Sequence, residues 1–152
     1  MDMNLKGKTA LVLASSQGLG KAIASSLIGE GVNVVLASRN EEKLADVQRE
    51  LMDKEGGKVS YIQTDITDPT QIKRAVQTAV DTYGSLHILV NNAGGPPAGS
   101  FEQITDEQWQ QAFELNLLSY IRTIREALPH LKKNGGKIIN IASSSIKEPI
   151  PG

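Results

Sequence analysis

Five short apolar runs alternate along this chain with four segments of helical periodicity, and that alternation constrains the fold more than any other feature. Thr9-Ala10-Leu11-Val12-Leu13-Ala14 is apolar without a polar face, as expected of a strand covered on both sides. Val32 to Ala37 reads the same way, and Lys58 to Thr64, Leu86 to Val90 and Lys137 to Ala142 supply three more strands. Between them, Ile23, Ala24, Leu27 and Ile28 recur at helical spacing, as do Leu44, Val47 and Leu51, and then Ile72, Ala75, Val76, Ala79 and Val80. Asp68-Pro69 offers an N-cap followed by a proline at the first helical position. Thr105-Asp106-Glu107-Gln108 matches a capping box ahead of a long helix carrying Trp109, Ala112, Phe113, Leu117, Tyr120, Ile121, Ile124, Leu128 and Leu131, which Pro129 is expected to kink or end. The order βαβαβαβαβ predicts an α/β domain with a parallel sheet and helices on both faces.

Composition narrows the class. At 152 residues there is room for one domain of ordinary size, and no repeat, linker or low-complexity tract divides it. Sixteen basic against 17 acidic residues give a net charge of −1 with no basic block, which argues against nucleic-acid or membrane-surface binding. The absence of cysteine excludes disulfides, thiolate metal sites and a cysteine nucleophile, and fits a reducing cytoplasm. The longest apolar run, Ala10 to Ala14, is far below the ~20 residues of a membrane span. The opening Met1-Asp2-Met3-Asn4-Leu5-Lys6 has no signal-peptide core. His87 and His130 stand alone, so no metal site is expected. These features read as a cytoplasmic, soluble domain.

In a doubly wound parallel sheet, ligands bind beyond the carboxyl ends of the strands, where the strand order reverses. The unusual loops all fall at such ends: Ser15-Ser16-Gln17-Gly18-Leu19-Gly20, Asn91-Asn92-Ala93-Gly94-Gly95, and the run beginning at Ser143. Gly18 and Gly20 allow a tight turn and close backbone approach to a pyrophosphate, with the free N–H groups of the next helix behind it. Two glycines alone could equally make a turn and nothing more. An acid about 20 residues past such a turn would hold a ribose hydroxyl, whereas an arginine accepts a 2′-phosphate. This chain has Ser38-Arg39-Asn40 and no acid before Glu41, which favours NADP over NAD unless Arg39 is simply a solvated loop charge.

Taken in order, Ala14-Ser15-Ser16-Gln17-Gly18-Leu19-Gly20, Asp65-Ile66, Asn91-Asn92-Ala93-Gly94, Asn116 and Ile139-Asn140-Ile141-Ala142-Ser143 resemble the short-chain dehydrogenase/reductase family, particularly its 3-oxoacyl-acyl-carrier-protein reductases. The resemblance spans essentially the whole chain and implies a Rossmann-type fold and hydride transfer between NADP(H) and a small carbonyl or alcohol substrate. It implies that Asp65 bonds the adenine amino group, that Ile66 lies against the ring, and that Asn92, Ala93 and Gly94 pass beside the adenosine ribose. Asn116 would hold a water of the proton relay, and Ser143 would bond the substrate oxygen. From the residues alone, Asn116 is an amide on an apolar stripe, costly to bury without partners and equally readable as a satisfied core asparagine. Choosing Ser143 over Ser144 rests on family register only.

Two departures stand out. Ala14 replaces the first glycine of the family's turn. The family's Tyr-x-x-x-Lys, expected about a dozen residues past the serine, does not occur; Tyr61, Tyr83 and Tyr120 all lack a lysine four residues on. Residues 1–152 are therefore expected to form one dinucleotide-binding domain, C-terminally incomplete, with five strands and the family's last strands missing. Ile138, Ile139 and Ile141 are expected on an open sheet edge. A second reading is a non-catalytic module that binds nucleotide as a sensor or pairs with a partner through that edge. The long helix has the length for a homo-oligomer contact, although an internal core would use its stripe equally well.

Overall fold

The computed structural model describes residues 2–148. Its elements follow the expected alternation: β1 (Thr9–Leu13), α1 (Gly18–Gly29), β2 (Asn33–Ser38), α2 (Glu41–Met52), β3 (Val59–Gln63), α3 (Pro69–Tyr83), β4 (Ile88–Asn91), α4 (Asp106–Phe113), α5 (Ser119–Lys133) and β5 (Lys137–Asn140). The sheet order is β3-β2-β1-β4-β5, and every pairing is parallel. The chain winds outward from β1 to β3, then returns across the sheet to place β4 on the other side of β1. That reversal is the switch point.

Because successive strand residues face opposite ways, the apolar strands build two cores. Ala10, Val12, Val34 and Leu36 pack with Ala24 and Ile28 of α1 and with Leu44, Val47 and Leu51 of α2. Leu11, Leu13, Val35 and Leu89 pack with Ala75, Val76 and Ala79 of α3 and with Ala127 and Leu131 of α5. The caps match the sequence reading. Asp68 accepts from the Thr70 amide at 2.9 Å, Pro69 opens α3, and Thr105 with Gln108 closes a reciprocal capping box on α4.

The long helix departs from expectation. Pro129 does not end it: α5 continues to Lys133, with Pro129 on its exposed side, where water can meet the carbonyl that loses its donor. The interruption falls earlier, as a π-helical turn over Glu114–Leu118. Side chains compete for carbonyls around it, with Asn116 Nδ2 donating to Ala112 O (3.2 Å) and Ser119 Oγ to Leu115 O (2.5 Å). The extra residue shifts the helical register by one, so that positions eight apart fall on one face as positions seven apart would in an uninterrupted helix. Glu114 and Arg122 use that alignment, pairing at 2.6 Å across the turn.

Among the described residues, β5 is an edge strand with no partner on its outer side. Its residues are exposed, Ile139 by 43%, and beyond it Phe113, Leu117 and Ile121 of the helical segment are also exposed. No helix among the described residues is long and apolar enough to cross a membrane.

At the opposite end of the sheet, the Thr9 amide donates to His87 Nδ1 at 3.0 Å, which assigns the ring proton to Nε2. Burial, reinforced by nearby Lys8, lowers the His87 pKa from its ordinary 6.5. A group that is harder to protonate when folded contributes stability above its unfolded pKa and loses it as pH falls through the window below 6.5. The melting temperature is therefore expected to drop between pH 7 and pH 5, above the range where carboxylates titrate, and His87→Asn should flatten that drop. A thermal-melt series across pH on both proteins measures it; equal slopes would contradict the role of His87.

Candidate functional site at the switch point

Two cavities open beyond the carboxyl ends of β1 and β4. The first, about 340 Å³, lies between the β1–α1 turn, the end of β2 and the loops after β3 and β4. Ala14 leaves β1 in the left-handed region at φ 50°, and Gly18 opens α1 at φ 56°. Gln17, the N-cap residue, is extended and offers no side-chain bond to the first helical amides. Those amides therefore keep their donors, and the helix end carries its partial positive charge towards the cavity.

The residues singled out in this turn divide into two groups. Ser16, Gln17, Gly18 and Leu19 line the cavity together with Ala14. Ser15 and Gly20 are buried behind it. Ser15 Oγ donates to Val12 O at 2.8 Å and accepts from the Ala37 amide at 2.9 Å, stitching the turn to β2. Gly20 sits against the Ala14 carbonyl, where an added methyl would overlap that oxygen and come within 2.9 Å of Asn92 Nδ2. Asn92 itself donates to Ala14 O at 3.4 Å, coupling the end of β4 to the turn after β1.

The far wall carries Ser38, Arg39, Thr64 and Ile66. Ser38 Oγ donates to Ser16 Oγ at 2.8 Å. Arg39 is exposed at the rim and forms no ion pair among the described residues. Asp65 lies between two lining residues, but its Oδ1 is held by the Thr67 amide (2.9 Å) and hydroxyl (2.7 Å), so its carboxylate closes its own loop. Thr64 and Leu115, which the sequence does not single out, complete the lining with Gly95, and Leu115 lies within the π turn.

Asn92, Ala93 and Gly94 form the shared wall with a second, larger cavity of about 750 Å³. Trp109, Phe113 and Leu117 give it an apolar side, and Asn116, Tyr120, Asn140 and Ser143 give it polar points. The structure thus brings Asn116 and Ser143 to one cavity. It corrects the burial argument for Asn116, which is exposed because the stripe beside it, Phe113 and Leu117, is itself half uncovered. Ser143 Oγ accepts from the Ser145 amide (3.2 Å) and hydroxyl (2.8 Å), capping a short turn over Ser144–Ile146. Tyr120, unforeseen as a lining residue, donates its hydroxyl to Ile141 O at 2.9 Å, and burial raises its pKa above 10.0. A phenol so committed fastens α5 to the end of β5 and is unsuited to exchanging protons. No cluster of three or more metal-ligating side chains occurs among the described residues.

A parallel sheet with a switch-point cavity bounded by an uncapped helix N-terminus and a glycine turn defines a Rossmann-like α/β protein. The family follows from comparison with known proteins: the short chain dehydrogenase model matches residues 8–152, and the chain belongs to that family of oxidoreductases. It is 38% identical to an uncharacterized oxidoreductase of Bacillus subtilis, YvrD, over 99% of this chain and 57% of that protein. It is 41% identical to the granaticin polyketide synthase putative ketoacyl reductase 1 of Streptomyces violaceoruber, over 91% of this chain and 52% of that one. Among solved structures, L-sorbose reductase of Gluconobacter frateurii, complexed with NADPH and L-sorbose, superposes with a TM-score of 0.94 at 34% identity, covering 99% of this chain and 57% of its own. The chain spans about half the length of the curated relatives it matches.

The two turn glycines should fail differently on substitution. Gly20→Ala forces overlap with backbone and is expected to cost about 2–3 kcal/mol. Gly18→Ala meets nothing within 4 Å and pays only for its left-handed backbone, about 1 kcal/mol. Urea denaturation of both variants checks the order; a reversed ranking would contradict the packing assigned to Gly20.

Proposed function

We propose that this chain is the dinucleotide-binding part of an NADP(H)-dependent oxidoreductase that interconverts a small-molecule carbonyl and its alcohol. The observation that carries the reading is the first cavity: unsatisfied α1 amides at its floor, Arg39 at its rim, and no carboxylate in its lining. That donor set fits a pyrophosphate and a 2′-phosphate, and it lacks the acid that would hold a bare ribose. The nicotinamide coenzyme, when bound, supplies the hydride.

The chain's own residues would hold and orient. Gly18 and Leu19 bring backbone to the pyrophosphate, and Arg39 forks to the 2′-phosphate. Ile66 offers an apolar face to the adenine, and Asp65, with Oδ1 spent on Thr67, would offer Oδ2 to its amino group. Asn92, Ala93 and Gly94 would flank the adenosine ribose, and because they border both cavities a coenzyme seated in the first would reach the second with its nicotinamide end. There Ser143 would orient the substrate oxygen and Asn116 would hold a water. Neither can replace a proton donor, and the 152 residues contain no Tyr-x-x-x-Lys. This reading expects weak NADP(H) binding and negligible turnover from these residues by themselves; steady reductase activity from a mass-verified sample would overturn it.

A second reading, a nucleotide-binding module that works by pairing with another polypeptide or a second copy, is favoured by the exposed Phe113, Leu117 and Ile139. It expects a stable oligomer in light scattering and no coding sequence for Tyr-x-x-x-Lys beyond Gly152.

Coenzyme choice is tested by Arg39→Ala. NADPH binding should weaken about tenfold while NADH binding barely changes, as for loss of one charge-assisted bond. Calorimetric titration reads both, and equal loss would undo the assignment of Arg39 to the 2′-phosphate.

A further inference from the structure

Beside the first cavity lies a shallower polar recess of about 460 Å³, lined by Ser16, Gln17, Arg39, Asn40 and Lys43. It shares Ser16, Gln17 and Arg39 with the dinucleotide cavity, so the two form a continuous surface. Lys43 is the one member that does not come from a strand-end loop; it is the third residue of α2. We infer that Lys43 is a second cation for the 2′-phosphate of the coenzyme and sets, with Arg39, the preference for the phosphorylated nucleotide. This deepens the nucleotide reading given above and rests on it.

The placement of Lys43 is fixed by its own helix end. Asn40 Oδ1 accepts from the Lys43 amide at 3.0 Å, the N-cap bond that starts α2. From there the side chain reaches across the recess, and Nζ donates to Gln17 Oε1 at 3.1 Å. An ammonium has three donors, so two remain after that bond. Among the described residues Arg39 spends none of its guanidinium donors on a side-chain partner, and its carbonyl is what accepts from Gln63. Ser16 accepts from Ser38 Oγ and keeps its own hydroxyl proton to donate. Two cations and a hydroxyl thus converge on one recess.

The neighbouring carboxylates do not neutralise it. Glu41 and Glu42 precede Lys43 in the first turn of α2 but pair with neither Lys43 nor Arg39 among the described residues. The nearby pair Lys21–Glu50, at 2.6 Å, is closed on itself. Two unpaired positive charges held in one concavity repel each other unless an anion joins them, and a phosphate monoester carries nearly two negative charges at neutral pH. The guanidinium supplies a directional fork and the ammonium a mobile point charge, a complementary pair for a tetrahedral anion. The competing explanation is that Lys43 only ties α2 to the β1–α1 turn through Gln17. That role would matter equally for every adenine nucleotide.

The test is calorimetric titration of the 152-residue protein with NADPH, NADH, adenosine 2′,5′-bisphosphate and 5′-AMP, before and after Lys43→Met and Lys43→Arg. The two adenosine probes confine the measurement to the adenosine half of the coenzyme. Lys43→Met is expected to weaken NADPH and the bisphosphate about fivefold to tenfold and to leave NADH and 5′-AMP unchanged, with the salt dependence of NADPH binding becoming shallower. Lys43→Arg should restore most of the loss. Equal weakening of all four ligands, or no change in any, would overturn the role of Lys43 while leaving the nucleotide site standing. If the unsubstituted protein binds the bisphosphate no better than 5′-AMP, the 2′-phosphate reading itself fails and this inference falls with it.

Discussion

Everything in this fold is referred to β1. It is buried along its whole length, pairs in parallel with β2 on one side and β4 on the other, and contributes alternate residues to the two cores. A strand with no exposed face and two neighbours has no freedom in register, since a slip of one residue would exchange its contacts between the cores. The turn that leaves it is therefore delivered to one place. Because β4 arrives from the other direction of winding, the space above β1 is bounded on two sides and filled by neither connection. The site is a consequence of topology before any particular side chain is considered.

Within that space the chain accepts backbone strain. Ala14 occupies the left-handed region, which costs an alanine about 1 kcal/mol, where the family's turn has a glycine. The surroundings hold it there. Its carbonyl accepts from Asn92 and packs against Gly20, and the adjoining Ser15 hydroxyl is bonded to both β1 and β2. The same contacts that enforce the strain leave the α1 amides uncapped and facing the cavity. A side-chain cap at Gln17 would have stabilised the helix and occupied the donors an anion needs, so the missing cap and the strained residue serve one arrangement.

The sheet and its order of winding were legible because they depend on periodicity and composition, which single residues such as Gly29, Asp68 and Thr105 punctuate clearly. The first cavity was largely legible for a related reason: strand-end loops must lie at the switch point, so Ser16, Gly18 and Arg39 could be placed from the topology, while Ile66 came only from the family resemblance. What escaped was whatever depends on side-chain direction or helical register. Asp65 commits Oδ1 to its own loop, and no spacing rule shows that one of its oxygens is so engaged. Nothing in the sequence singles out Lys43; the length of its side chain and the Asn40 cap bring it back over the turn. The π turn was invisible because Phe113 to Leu131 fits an unbroken helix tolerably well, and an inserted residue rotates everything after it by roughly 100° without altering the apparent pattern.

That rotation links the helix to the second cavity. Upstream of the π turn, Trp109 and Phe113 stack on one another and face the cavity; downstream, Ala127 and Leu131 are in the core. An uninterrupted helix could not present both faces from a single stripe. The Glu114–Arg122 pair spans the interruption, and Asn116 is carried within it, beside the end of β5 where Ser143 stands. The cost is apolar surface left in water at Phe113, Leu117 and Ile139, next to unpaired backbone along β5. An isolated domain gains nothing from that combination, because an open edge flanked by apolar side chains invites pairing with whatever strand is near. The cavity and the edge are adjacent, so any element that covered one would approach the other. In the proposed reading the coenzyme is held at the sheet's switch point, whereas any chemistry at Ser143 would depend on what lies against that second surface.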